Sequence, residues 1–179
     1  QEKNINDFQK AKKNILLKTR ELGFSTISGY YALWLALFYP NKTILILTPN
    51  HNSAINFMRI IRTALHNLSK SLLDNIKKEN YKNLFFKNGS FIKASEYKID
   101  VCHSQSLSLL IVDEASYVFK NINNDWIGLA TSMENNGKII IADTKEDKNI
   151  FGNRHDMRNV YFLLFLLNRI GEFGLINYW

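Results

Sequence analysis

The sequence predicts an α/β fold, a mainly parallel β-sheet with helices on both faces and one antiparallel hairpin. Three observations predict it. Near-continuous apolar runs, such as Thr43-Ile44-Leu45-Ile46-Leu47 and Leu109-Leu110-Ile111-Val112, have the composition of strands buried on both sides. Stretches with apolar residues at helical spacing separate strand-like runs, which implies right-handed crossovers between parallel strands. Asn88-Gly89 lies between two strand-like runs, a strong signal for a hairpin turn.

In chain order, strands are expected at residues 14–18, 43–48, 84–87, 91–94, 109–112 and 138–142. Residues 25–39 read as a helix, because Ile27, Tyr30, Tyr31, Trp34, Leu35 and Phe38 repeat at helical spacing and should face the core. Residues 53–73 read as a second helix, with Ile55, Met58, Ile60, Ile61 and Leu65 on its buried side. The hairpin at residues 84–93 then interrupts the alternation. From Lys145 the pattern loosens, and residues 157–170 have the pattern of a further helix before Gly171 and Gly174. The expected division is a core over residues 1–150 and, over 151–179, a helical extension or the start of a lid subdomain.

A chain of 179 residues with 46% hydrophobic composition can bury one core. Its net charge of +7, from 23 Lys and Arg against 16 Asp and Glu, favours polyanionic partners. An Asn/Lys/Ile-rich composition drawn from an AT-rich genome would give the same excess. The single cysteine, Cys102, excludes an intramolecular disulfide and a cysteine-based zinc cluster, as suits a reducing cytoplasm. Residues 160–167 form an apolar run far shorter than the roughly 20 residues that span a bilayer. The N-terminus has no apolar stretch of signal-peptide type, so a soluble chain with no membrane partner is expected. His51, His66, His103 and His155 are not paired at metal-ligand spacing. Ser104, Ser106 and Ser108 near His103 lack the Gly-x-Ser-x-Gly elbow of a hydrolase. Phe85, Phe86 and Phe91 on the hairpin either stack on bases or cover the sheet edge.

The chemistry concentrates in three segments. Lys18-Thr19-Arg20-Glu21-Leu22-Gly23-Phe24-Ser25-Thr26 joins a strand to a helix through a glycine and a hydroxyl pair, the layout of a phosphate-binding loop. Gly23 lets the backbone approach an anion, and Ser25 or Thr26 can place a hydroxyl on Mg²⁺. The usual loop lysine is replaced by Phe24, which leaves Lys18 and Arg20 as the nearby cations. In the second segment, the apolar run 109–112 delivers Asp113 and Glu114 to the end of a strand. There Asp113 can hold Mg²⁺ through water, and Glu114 can orient and deprotonate an attacking water. The third, Ile139-Ile140-Ile141-Ala142-Asp143-Thr144, is another buried strand whose terminal hydroxyl could sense a γ-phosphate. Together they indicate an ATP-hydrolysing domain.

On these segments the chain resembles the ATPase domain of viral large terminase subunits of the tailed-phage type, motors that pump DNA into preformed capsids. Residues 18–26 resemble the family's phosphate loop (Walker A), and 109–116 its Asp-Glu strand (Walker B). Residues 88–92 resemble its hairpin and 139–144 its coupling motif. The likeness covers roughly residues 1–144. It implies a P-loop NTPase core of the ASCE (RecA-like) kind that binds ATP and Mg²⁺. In such a site Thr19, Gly23, Phe24, Ser25 and Thr26 line the loop, and Arg20 or Lys18 contacts the phosphates. Asp113 and Ser25 serve the metal, Glu114 catalyses, and Thr144 couples hydrolysis to movement. Gln1 falls where the family reads adenine, with Gln9 a second claimant. Many members carry an aromatic residue at the position of Phe24, whereas Glu21 departs from the family's glutamine.

The resemblance further implies double-stranded DNA, the portal and the small terminase subunit as partners. It implies a homo-oligomeric ring working in the host cytoplasm at the capsid portal. A trans-acting arginine is also implied, for which Arg59, Arg62, Arg154 and Arg158 are candidates. The family's C-terminal nuclease domain is not expected in this chain, nor is nuclease activity. Two rivals keep the fold: a superfamily-2-like helicase or translocase fragment, and a nucleotide-binding relic without turnover.

Overall fold

The computed structural model describes residues 2–18, 23–98, 106–119, 133–144 and 174–177. Along the chain these form α1 (Glu2–Lys10), β1 (Lys13–Lys18), α2 (Phe24–Phe38), β2 (Thr43–Thr48), α3 (His51–His66), α4 (Lys70–Leu73) and β3 (Ile76–Glu79). There follow β4 (Asn83–Phe86), β5 (Phe91–Glu96), β6 (Leu107–Val112), α5 (Ala115–Phe119), β7 (Met133–Thr144) and β8 (Gly174–Asn177). The eight strands make one sheet in the order β3-β4-β5-β2-β6-β7-β1-β8. Every pairing from β5 to β8 is parallel, and the β3–β4 and β4–β5 pairings are antiparallel. The expected α/β architecture is present, and β3 extends the expected hairpin of β4 and β5 into a three-stranded antiparallel meander.

Alternation along each strand explains why both faces of the sheet are dry. Ile44, Ile46, Ile92, Ala94, Leu109, Ile111, Ile140, Ala142 and Leu16 join residues of α1, α2 and α3 in one buried cluster. Their neighbours Leu45, Leu47, Leu110, Val112, Ile139 and Ile141 point the other way and are buried as well. Ala115 and Val118 of α5, packed against β7 and β2, belong with this second layer.

Several expected details change. Tyr30 and Phe38 are 49% and 59% exposed, because the inward arc of α2 runs through Ser28, Gly29, Ala32, Leu33 and Ala36. Small residues there let α3 approach closely: a Cβ on Gly29 would lie 3.2 Å from Ile61. The second helix divides, with α3 ending at His66 and α4 starting after Ser69, whose extended backbone breaks the helical path. Its buried side is Ala54, Phe57, Met58, Ile61 and Leu65, with Ile55 and Ile60 half-buried. The Asn50 side chain caps the start of α3, accepting from the Ser53 N–H at 2.9 Å. Strand β7 extends five residues earlier than expected, starting at Met133, and α1, β3, α5 and β8 are additions. The expected helix at 157–170 lies outside the described residues.

The hairpin turn falls at Asn88-Gly89, as expected, and it also closes the far end of α2. Asn88 Nδ2 donates to the carbonyl of Ala36 at 2.9 Å, and Ser90 Oγ donates to that of Tyr39 at 2.7 Å. Carbonyls left unpaired at a helix C-terminus are thereby satisfied. At the opposite side of the sheet, Lys138 on β7 performs the same service for α1. Its Nζ donates to the carbonyls of Phe8 and Gln9 at 2.8 and 2.6 Å. Burial, and then the neighbouring Lys12, hold this ammonium below the usual lysine range.

Candidate nucleotide-binding site

The strands β1, β7, β6 and β2 end along one edge of the sheet. The register places Lys18 opposite Thr144, Val112 opposite Ile141, and Leu47 opposite Val112. In open α/β sheets ligands bind at this carboxyl edge, where successive connections leave in opposite directions. Here the chain leaves β1 for β2, three places away on one side, while β6 connects to β7 toward the other.

Gly23 opens α2. Its φ of 69° lies in the left-handed region, which costs a glycine nothing, and its carbonyl accepts from the Ile27 N–H at 3.0 Å. Having no side chain, it leaves the helix start without a side-chain cap. The first-turn N–H groups and the helix dipole then point toward the carboxyl edge, an arrangement suited to an anion. Of the two candidate hydroxyls, that of Ser25 meets the acid of the second segment: Ser25 Oγ donates to Asp113 Oδ2 at 2.6 Å. Thr26 is half-buried beside it. Phe24 contributes its backbone to the loop, but its ring turns inward, 5% exposed and edge-on to Phe8 of α1 at 6.5 Å. The side chain in the lysine's place faces the core rather than the phosphate position.

Asp113 follows directly on β6, and its N–H continues the ladder by donating to the Leu47 carbonyl at 3.0 Å. The second carboxylate oxygen, Oδ1, accepts from the Glu114 N–H at 3.1 Å. Glu114 is exposed and holds a φ of 54°, an uncommon conformation for a non-glycine residue. Its carbonyl accepts from the N–H groups of Tyr117 and Val118, so it starts α5. A carboxylate and a hydroxyl brought together from positions 88 residues apart offer two hard oxygen donors. Mg²⁺ takes one or two carboxylates and completes its shell with water and phosphate oxygens, so this pair fits it.

Thr144 ends β7, the strand between β1 and β6, which puts its backbone between the two other segments. Its side chain, that of Lys18, and all of Gln1, Thr19, Arg20 and Glu21 lie outside the described residues. So do Cys102, His103, Ser104, Arg154, His155 and Arg158. Gln9, at the far end of α1, is exposed. Arg62 donates to the Asn80 carbonyl at 3.0 Å, whereas Arg59 is exposed on α3. Ser108 is buried in β6 and accepts from the Thr43 N–H at 3.2 Å, a structural bond. Phe86 is buried under α3, while Phe85 and Phe91 stack on each other at 5.6 Å, half-buried on the opposite face. Among the described residues no group of three His, Cys, Asp or Glu could hold a metal, and no helix is long and apolar enough to cross a membrane.

The residue that sequence reasoning missed is Phe8. An isolated aromatic in a polar N-terminal stretch was its only signal, and it is fully buried between α1 and α2.

No family model matches the chain, and no curated protein matches its sequence. Its fold does have solved counterparts. It is similar to the large terminase ATPase domain of Thermus phage P74-26, with a TM-score of 0.59 and 14% identity over 81% of this chain and 65% of that one. The HK97 bacteriophage large terminase gives a TM-score of 0.68 at 16% identity, over 92% of this chain and 34% of that one. A large terminase from a thermophilic bacteriophage gives 0.66 at 10% identity, over 98% and 43%. The chain thus spans about two thirds of the first protein's length and less than half of the other two. The fold is that of the P-loop ATPase domains of phage large terminases, and at this level the resemblance read from the sequence is borne out. Function must be argued from the site.

Proposed function

We propose that the chain is a Mg²⁺-dependent ATPase, converting ATP and water to ADP and phosphate, and that it powers double-stranded DNA translocation into viral capsids. One observation carries the reading, the 2.6 Å hydrogen bond from Ser25 to Asp113. It joins the start of α2 to the end of β6 across the intervening β7, pairing a loop hydroxyl with a strand-end carboxylate at a helix N-terminus. Two polar residues of a solvated loop have no reason to meet so.

In this reading residues 18–26 and 109–116 act as Walker A and Walker B. The triphosphate lies against the first-turn N–H groups of α2, and Lys18 or Arg20 adds positive charge. Ser25 and Asp113 hold Mg²⁺, which supplies Lewis-acid neutralisation of the phosphate oxygens when bound. Glu114, one residue beyond and exposed, orients the attacking water and takes its proton. Thr144, on the strand between loop and acid, couples the γ-phosphate to movement. Gln1, or else Gln9, reads the adenine. Residues 1–150 form the ATPase core, and 151–179 are an extension from which β8 returns to the sheet. The working form is a homo-oligomeric ring at the capsid portal in the host cytoplasm, with DNA, portal and small terminase subunit as partners. Support comes from the fold shared with large terminases, among them one from a thermophilic bacteriophage solved in complex with ATP-gamma-S (TM-score 0.54).

The test is ATP hydrolysis by the purified chain, with Mg²⁺ or EDTA and with or without double-stranded DNA, beside Glu114→Gln and Arg20→Ala. Mg²⁺-dependent turnover lost in both variants is the expected result. Turnover kept in Arg20→Ala moves the phosphate contact to Lys18. A chain that binds no ATP ends the reading.

A further inference from the structure

Phe24 occupies the position where a phosphate loop ordinarily carries its lysine, and its ring is committed to α1. Phe8 is fully buried and packs edge-on against Phe24 at 6.5 Å and against Tyr31 at 5.5 Å. Both contacts fall in the range where aromatic pairs attract beyond their buried area. The Phe8 carbonyl accepts from the Tyr31 hydroxyl at 3.3 Å and from Lys138 at 2.8 Å. So α1 is fastened at its C-terminal end by β7 and along its side by the first two turns of α2. The Ala11 N–H closes the last turn of α1 onto the Asp7 carbonyl at 2.9 Å, and β1 follows at Lys13.

We propose that Phe8 is a positioning residue for the phosphate loop, acting through Phe24, so that docking of α1 and occupancy of the loop by phosphates stabilise one another. The inference rests on the nucleotide-binding reading above and adds to it a route. Phe24 is the residue next to Gly23 and the first of α2, so a ring held by its partners restrains the start of the helix whose N–H groups face the anion. A docked Phe8 holds that ring in place. Linkage then requires the effect to be equal in both directions: the factor by which phosphate strengthens α1 docking is the factor by which docking strengthens phosphate binding. The relay needs only the phosphates, so inorganic triphosphate with Mg²⁺ suffices.

The experiment measures amide hydrogen exchange over residues 6–11, and dissociation constants for inorganic triphosphate and ATP, both with Mg²⁺. It uses the whole chain and its Phe8→Ala, Phe8→Leu and Lys138→Met variants. In the parent, either ligand should slow α1 exchange at least fivefold, the lower end of ordinary coupling, and leave α3 unchanged. Phe8→Ala and Lys138→Met should expose α1 and weaken triphosphate binding by that same factor, with Phe8→Leu recovering most of the loss. A merely structural role for Phe8 gives no ligand-dependent exchange in the parent. The inference is overturned if triphosphate binds without slowing α1, or if both undocked variants bind it as tightly as the parent. Slowing by ATP alone overturns it too, since contact with the base would then carry the effect. Should Phe8→Ala expose α3 as well, Lys138→Met decides. A parent that binds neither ligand removes the nucleotide reading itself, and the positioning role with it.

Discussion

Two turns carry the chain from a strand into a helix at the carboxyl edge, and both pass through the left-handed region. Gly23 does so before α2 at φ 69°, and Glu114 before α5 at φ 54°. For glycine this conformation is free, whereas an ordinary L-residue loses about 1–2 kcal/mol in it. Glutamate lacks the short side chain with which Asn or Asp offsets that loss. The first turn is therefore built for its backbone, which has to present N–H groups. The second keeps its side chain despite the backbone, and a strained position retained at the carboxyl edge points to a role for that side chain.

The comparison breaks most visibly at Glu114. Replacement by glycine should relieve the strain and raise stability by about 1 kcal/mol. The same change should lower ATP turnover by about 10²–10⁴-fold, the usual worth of a positioned general base. Thermal melting and a phosphate-release assay would give changes of opposite sign. A glycine variant that turns over normally would mean that the second turn serves its backbone after all.

Next in size is Ser25→Ala, which removes the 2.6 Å bond to Asp113. Losing a group that holds or orients a metal ligand typically costs about 10–100-fold in metal affinity, so affinity for Mg²⁺·ATP should fall about tenfold or more. Affinity measured in EDTA should hardly change, and equal losses in both titrations would deny Ser25 a part in metal binding.

Gly23→Ala tests the first turn from the other side. Nothing lies within 4 Å of a Cβ placed there, so the expected loss of about 1–2 kcal/mol comes from backbone strain alone. Gly23→Asn should lose less, since asparagine tolerates the left-handed region. Equal melting temperatures for the two variants would contradict the strain argument.

The smallest effect concerns the aromatic support that the first turn has through Phe24. Burial, and then the neighbouring Tyr39, push the Tyr31 phenol up from 10.0 to about 12. Below pH 10 both folded and unfolded chains keep this proton, and its contribution to stability is complete. Above pH 10 the unfolded chain ionises first, so stability declines until about pH 12. Tyr31→Phe should flatten that decline, at a cost of about 1 kcal/mol near neutrality for the bond to the Phe8 carbonyl. Urea titrations across the alkaline range would show it; an unchanged slope would place the alkaline transition on another group.

Much of this was legible in the residues. The apolar runs marked β2 and β6 because strands buried on both faces cannot alternate. Asn88-Gly89 marked its turn through local backbone preference. Strand β3, Ile-Lys-Lys-Glu, was not legible, because an edge strand with one half-buried residue has no hydrophobic period to read. The helical spacing of Tyr30 and Phe38 placed them on the inner arc of α2. Small residues won that arc instead, since close approach of α3 favours Ser28, Gly29 and Ala32 over bulk. At the site, the sequence supplied the hydroxyl pair and the acids in the right order. Which hydroxyl meets Asp113 depends on how the chain crosses β7, a tertiary fact with no local signature. The inward turn of Phe24 was hidden for a similar reason, its partner being a lone aromatic in a polar stretch.

The place of β7 also sets a schedule for folding. Among the described residues, β1 bonds only to β7 and β8, and the earlier β2 finds its neighbours in β5 and β6. During synthesis β1 is therefore finished long before any strand that can flank it. At about 5–20 residues per second, the wait from Lys18 to Met133 lasts roughly 6–23 s. Through that interval the β2-centred half can assemble while β1 has no strand beside it. Insertion of β7 then closes the gap and brings the ends of β1 and β6 together late, so in the proposed reading the ability to bind ATP would be acquired only after β7 is in place.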